Sequence, residues 1–258
     1  MKTEIHNKKK HLLISLGIIC LFGVIYAQDS KPKPKITPQP AVTKKPPAAK
    51  TTTTKATSAT TNNKYGTVTD IDGNVYKTIK IGNQIWMAEN LKTTRYNDGT
   101  PIPNVTDNND WSNLTTGAYC YYDNDYKNNA IYGKLYNWYA VGTGKLAPKG
   151  WHVPTDAEWT TLTTYLGGES LAGGKMKSMQ FWKWPNTGAN NFSGFTGLPA
   201  GTRHSDGTFN GVGYGAIIWS STKSSMYGAW NRFLHYHDSM VRFSNDKEYG
   251  YSVRCIKD

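Results

Sequence analysis

An α+β domain is predicted from Tyr65 to Asp258, with one main helix and a twisted, mostly antiparallel sheet. Three observations predict it. Pro154-Thr155-Asp156-Ala157-Glu158-Trp159 opens a capped helix that runs to Leu166 and stops at Gly167-Gly168. Short alternating runs, bounded by Gly, Asn, Asp or Pro, precede that helix. Everything downstream of it is glycine, aromatic and strand pattern. A helical bundle, or a parallel sheet wound with helices, would need a series of such helices.

The first 64 residues are read separately. Lys8-Lys9-Lys10 and the apolar run Leu12–Ala27 have the charged and hydrophobic regions of a signal peptide, residues 1–27, with Gln28 as the new N-terminus. A run of roughly sixteen apolar residues is short for a spanning helix, so no membrane span is expected after its removal. Cys20 does not mark a lipoprotein, because Ile19 stands where a small residue is needed. Residues 28–64 are rich in Lys, Pro, Thr and Ala. They hold too few apolar groups to offset chain entropy and read as an extended, solvated linker. The chain is therefore expected to be exported to the periplasm, cell surface or medium.

Within the domain, Thr67–Asp70 and Val75–Ile81 alternate as half-buried strands around Asp70-Ile71-Asp72-Gly73-Asn74, and Ile85-Trp86-Met87 follows a second turn. A polar loop covers Asn104–Thr116. Tyr119–Tyr122 is a further short strand, and Leu135–Val141 fits a strand or a short helix. In the main helix, Thr155 takes the N-cap position and Glu158 completes a capping box. Asp156 adds negative charge at the positive end of the helix dipole. Trp159, Leu162, Tyr165 and Leu166 follow at helical spacing. Leu171–Met179 reads as a weaker helix because of Gly173-Gly174. Strands are expected around Ala216–Ser221, Trp230–Leu234 and Met240–Phe243. Gly250–Ile256 is an alternating last strand, expected to pair near the strand that precedes the main helix.

Charge separates leader from domain. Met1–Lys64 carries a net +10 and the remainder only +2. The basic pI thus belongs to the leader and linker, and a nucleic-acid partner, which needs clustered Lys and Arg on the domain, is not expected. Aromatics show the opposite bias, since all nine Trp follow Lys64.

Four motifs are similar to those of one family: Gly-Trp-His-Val-Pro-Thr-Asp-Ala-Glu-Trp (150–159), Ser-Gly-Phe-Thr-Gly-Leu-Pro-Ala-Gly (193–201), Trp-Ser-Ser-Thr (219–222) and Gly-Tyr-Ser-Val-Arg-Cys (250–255). Gln-Ile-Trp-Met-Ala-Glu-Asn-Leu (84–91) and Gly-Lys-Leu-Tyr-Asn-Trp-Tyr-Ala-Val (133–141) join them. Together they resemble the Fibrobacter succinogenes major paralogous domain over Tyr65–Asp258. The resemblance implies an exported protein with a C-type-lectin-like fold, shared with the formylglycine-generating enzymes. Fold analogy does not carry function, which rests on a site.

The residues are tested against that background. A formylglycine-generating centre needs two neighbouring cysteines; only Cys255 lies in the C-terminal part, and Cys120 is remote in sequence. Cys120 and Cys255 are the two cysteines left after signal removal. A bridge is the expectation in an oxidising compartment, worth roughly 4–5 kcal/mol in the chain-entropy model. Two packed thiols fit equally, because Ala147 stands where the family often has a further cysteine. Trp184-Pro185-Asn186 and Trp230-Asn231-Arg232 lack the acids of a calcium-dependent sugar site. Asp70-x-Asp72-Gly73 has carboxylate spacing that suits calcium, the one cofactor entertained, yet lacks the other acids and reads as a turn. His235-x-His237 would share a strand face but has no third ligand at diagnostic spacing. His152 reads as a structural histidine.

No constellation supplies a nucleophile, base or metal, so an enzyme is not expected. A non-catalytic binding module of the envelope or surface is, with Trp182, Trp184, Trp219, Tyr227, Trp230 and Tyr236 as candidate ligand-binding residues. Aromatic faces beside Asn, Ser and Arg suit a surface glycan or an envelope protein. For any one tryptophan a place in the core is the competing reading, and a structural role in a fibre or matrix is the alternative function.

Overall fold

The computed structural model describes residues 65–237 and 239–258; the signal-peptide and linker expectations, with Cys20, lie outside the described residues. The capping box forms as the sequence dictates. Thr155 Oγ1 accepts from Glu158 N at 3.3 Å, and Glu158 Oε2 accepts from Thr155 N at 2.7 Å. The helix covers Asp156–Tyr165 and ends at Leu166. Trp159 and Leu162 are buried, but Tyr165 is not: it stands exposed, with its ring laid over the Gly82 turn.

In chain order the strands are β1 (Tyr65–Thr69), β2 (Val75–Ile81), β3 (Gln84–Met87), β4 (Tyr119–Cys120), β5 (Leu135–Tyr136) and β6 (Trp151–His152). After the helices come β7 (Ala200–Arg203), β8 (Phe209–Val212), β9 (Gly215–Lys223), β10 (Gly228–His235), β11 (Met240–Asp246) and β12 (Ile256–Lys257). The helices are α1 (Asn108–Ser112), α2 (Asn128–Tyr132), α3 (Trp138–Val141), the main helix α4 (Asp156–Tyr165) and α5 (Glu169–Met176). The polar loop predicted at Asn104–Thr116 thus contains α1, whose N-cap Asp107 accepts from Asp110 N. Leu135–Val141 is both strand and helix, with Asn137 between them capping Ala140 N.

Two five-stranded sheets result, ordered β1-β2-β3-β12-β6 and β11-β10-β9-β7-β8, with β4-β5 as a small third. All named pairings are antiparallel except β7 with β9. The α+β expectation and the antiparallel bias therefore hold. So does the closure: Ile256 pairs with both Trp86 and His152, beside the strand that leads into α4.

The last segment departs from the predicted alternation. Every residue from Gly250 to Ile256 is buried, because the segment runs between elements rather than over a surface. It bridges to Arg203, Tyr136 and Ile218 in turn through Gly250, Tyr251 and Ser252. Its polar members are satisfied inside. Arg254 donates to Asn90 Oδ1, to the carbonyls of Met87, Phe195 and Thr196, and stacks on Phe195. Such complete pairing is what permits a buried guanidinium. Around it, Trp86, Trp159 and Phe195 meet at centroid distances of 4.7–5.9 Å and join α4 to both sheets.

Helix α5 begins two residues before the predicted Leu171 and stops at Met176. Gly174 is required there. A Cβ would lie 2.6 Å from the Gly188 carbonyl oxygen, because the loop that follows α5 folds back onto the helix.

Candidate functional site

That loop, Ser178–Gly197, joins α5 to β7. Its base is a backbone clasp: Gly197 N donates to Met176 O, and Ser178 N to Gly197 O. Asn190 N and Ser193 N donate to the Gly174 and Lys175 carbonyls of α5. Lys183 N bonds Gly213 O in the turn before β9, and Thr187 N bonds Tyr236 O after β10. Lys177 is fully buried at the centre of these contacts. Its Nζ donates to Thr187 O, Tyr236 O and His237 O at 2.8, 3.1 and 2.7 Å and lies over the Trp182 ring. One ammonium thus ties the loop to the β10–β11 turn. Hydrogen bonds from a charged donor are about twice as strong as neutral ones, so this tie is a stiff one.

A loop held this way could tuck its apolar residues inward. It does so with Trp182, whose indole N–H donates to Gly197 O and whose ring packs on the core around Trp159. It does the reverse with Trp184, which is 89% exposed, and with Met179 and Phe192, both 72% exposed. Phe181 is also exposed and rests edge-on against Tyr132 of α2. Phe181 has φ 70°, a left-handed conformation rare for an aromatic residue. The anchored Trp182 and Lys183 beside it hold that conformation in place. Three loop amides bond the loop itself: Asn186 Nδ2 donates to Ser178 O, Asn190 Oδ1 accepts from Phe192 N, and Asn191 bonds Thr196.

The six candidates do not form one surface. Trp182, Trp184 and Tyr236 gather at the end of β10 where the loop docks. Tyr227 and Trp230 sit at the opposite end of that strand. Tyr227 is exposed; Trp230 is half-buried under the Arg242 guanidinium, 3.3 Å from its ring centroid. Trp219 is core: it is fully buried, donates to Tyr136 O and packs on Tyr251 at 4.4 Å. Met179, Phe181, Phe192 and Lys177 were missed. For Met179 and Phe181 the signal was an aperiodic apolar run, Met-Gln-Phe-Trp-Lys-Trp, set among turn residues; Lys177 and Phe192 lie outside it.

The other chemistry-bearing residues serve the scaffold. Cys120 and Cys255 are unbridged and buried in separate clusters, one with Trp111 and Leu135 and the other with Tyr136 and Tyr251. The bridge expected between them is not formed, since each thiol packs among its own neighbours. Burial pushes Cys120 up to about 12 and Cys255 further, so neither is a ready thiolate. Asp70 accepts from Asp72 N, Asn74 N, Asn74 Nδ2 and Tyr76 OH, which fixes the turn. Asp72 accepts from Thr93, Thr94 and Arg95. Burial brings His235 down to about 4, with His237 and Lys177 pushing the same way. Lys134, lowered to about 8 by burial, lies against Tyr119 and Tyr121 and donates to Asn129 Oδ1. Among the described residues, no group of three His, Cys, Asp or Glu stands together to hold a metal. None of their helices is long and apolar enough to cross a membrane.

His152 is held between two carboxylates. Nε2 meets Glu158 Oε1 at 2.8 Å and Nδ1 meets Asp258 Oδ1 at 2.7 Å, while Asp258 N donates to Gly150 O. Asp258 is thereby latched to the N-terminal end of α4. Burial lowers the imidazole's proton affinity, but the two carboxylates outweigh it and the net shift is upward.

Comparison with curated proteins and with solved structures returns no match. The family model described as the Fibrobacter succinogenes major domain matches residues 79–257, which take in most of both sheets, the main helix and the loop above but not β1. The chain belongs to that family.

Proposed function

We propose that this chain is an exported, non-catalytic interaction module of the cell envelope or surface, built on a C-type-lectin-like domain. The loop Ser178–Gly197 is its contact surface. One observation carries the reading: Trp184, Met179, Phe181 and Phe192 stand exposed on a loop that backbone clasps and Lys177 hold in one conformation. Solvating four large apolar side chains is unfavourable, and apolar surface left exposed on one loop is the feature that marks interaction sites. Holding them rigid removes the ordering penalty on binding.

The lectin-like assignment is supported by the terminal strand lying beside the strand that enters the main helix, with one dominant helix packed on two mostly antiparallel sheets. Export is supported by the Lys8–Ala27 leader.

Retention on envelope fractions tests the proposal. The mature chain from Gln28 should be retained, and Trp184→Ser should lose retention at unchanged thermal stability. Equal retention of the two proteins would sink it.

A further inference from the structure

The exposed residues of this loop project outward, and that shape bears on what they contact. A residue that completes a cleft loses much of its surface to the cleft walls, whereas Trp184 keeps nearly all of its surface open to solvent. Charge is one-sided as well. Between Glu169 and Asp206 the chain contains no acid; Lys177 there is fully buried and Lys175 Nζ donates to Leu166 O, so Lys183 carries the exposed charge of the loop. Lys183, next to Trp184, is exposed and holds its ammonium 4.7 Å from the Tyr214 ring centroid. Its apolar stem can lie along buried surface while the charge stays in water. Tryptophan rings favour the headgroup level of a bilayer.

We infer that the Ser178–Gly197 loop is a lipid-inserting tip. Trp184, Phe192 and Met179 enter the boundary between headgroups and acyl chains of an anionic phospholipid surface, and Lys183 meets the headgroup phosphates. The inference rests on the reading of this loop as the contact surface and names its partner. Insertion here is peripheral, by side chains on a preformed loop, and needs no spanning helix. The backbone clasp matters for this role: Lys177 and the bonds to α5 hold the loop from below, so its outermost side chains can enter the boundary on a preformed backbone.

The test uses the mature chain from Gln28 with two kinds of vesicle, phosphatidylglycerol–phosphatidylethanolamine and pure phosphatidylcholine. The chain should co-sediment with the first and much less with the second. Trp184→Ser should weaken partitioning into the first about tenfold, the scale of one large apolar side chain leaving water. Lipids brominated near the headgroup should quench wild-type emission more than that of Trp184→Phe, locating the ring in the bilayer. The lysine-rich linker alone could adsorb to anionic vesicles, but that adsorption would leave Trp184→Ser and Phe192→Ser bound as tightly as wild type, which would overturn the inference. Retention by delipidated envelope protein but not by vesicles, with loss in Trp184→Ser, would also overturn it while leaving the contact surface standing. Retention by neither would remove both.

Discussion

The clamp on His152 makes domain stability fall as pH rises above neutrality, and the structure sets the size of the effect. The perturbation is His152→Ala, compared with wild type at pH 5.5 and pH 9. In the folded chain the imidazolium lies between Glu158 and Asp258, and its proton affinity is raised above the ordinary histidine range. The folded state therefore binds this proton more tightly than the unfolded chain does. The sign follows from linkage: the stabilisation is fully present below about pH 6.5 and is lost as pH rises through the elevated folded value. Glu158 is shifted the other way, downward, because Thr155 and His152 together outweigh its burial. Its contribution is present at neutral pH and lost only as pH falls through its folded value, so it does not mask the histidine effect between pH 5.5 and 9. The side chains are part-exposed, at 38% for His152, 28% for Glu158 and 59% for Asp258. Solvent screening thus limits the pair of contacts to about 1 kcal/mol together. For a domain of this size that corresponds to a shift of roughly 2–4 °C in melting temperature. Thermal melts at the two pH values should show wild type above His152→Ala by that margin at pH 5.5 and the two nearly equal at pH 9. A difference that is the same at both pH values would refute the charged clamp and leave only packing.

Other outcomes follow from the same geometry. Thr155→Ala removes the cap of α4 and should lower stability by about 1–2 kcal/mol in denaturant titration. Arg254→Met strands acceptors on Asn90, Met87, Phe195 and Thr196 and should destabilise by about 3–5 kcal/mol, with Arg254→Lys intermediate. Lys177→Met should speed protease cleavage within 178–197 while leaving the clusters around Trp219 protected from hydrogen exchange, since it unties a loop rather than a core. Thiol titration of a chain beginning at Gln28 should find both Cys120 and Cys255 without reductant once the protein is unfolded, and neither while it is folded. Loss of thiols in the unfolded sample would mean the bridge forms after all.

What could be read from the sequence was the local chemistry. Thr155, Glu158 and the glycine pair after Leu166 fix a helix through contacts within a few residues, so the main helix was legible to within one residue of its ends. Asp70-x-Asp72-Gly73 was legible as a turn for the same reason. Two-sided burial was not. Tyr251, Val253 and Cys255 alternate with Ser252 and Arg254 as an edge strand would, and only the partners reveal that the polar pair is buried too: Asn90 bonds both Ser252 Oγ and the Arg254 guanidinium. Nor could the composition of Leu135–Val141 show that Asn137 would end a strand and cap a helix at once.

The Ser178–Gly197 loop illustrates the harder limit. Trp182 and Trp184 are two residues apart, share the same neighbours in sequence and have the same side chain. One lies against the core because Gly197 O is within reach of its indole; the other stands in solvent. No period separates them, since the loop has none. The decision lies in contacts made far along the chain, with Lys177 holding the carbonyls of Tyr236 and His237 on one side and Gly174 leaving room for Gly188 on the other. Local patterning can say that a stretch such as Met-Gln-Phe-Trp-Lys-Trp is too apolar to be an ordinary loop. Which of its side chains face outward is settled by the tertiary anchors, and those anchors leave part of an apolar run exposed.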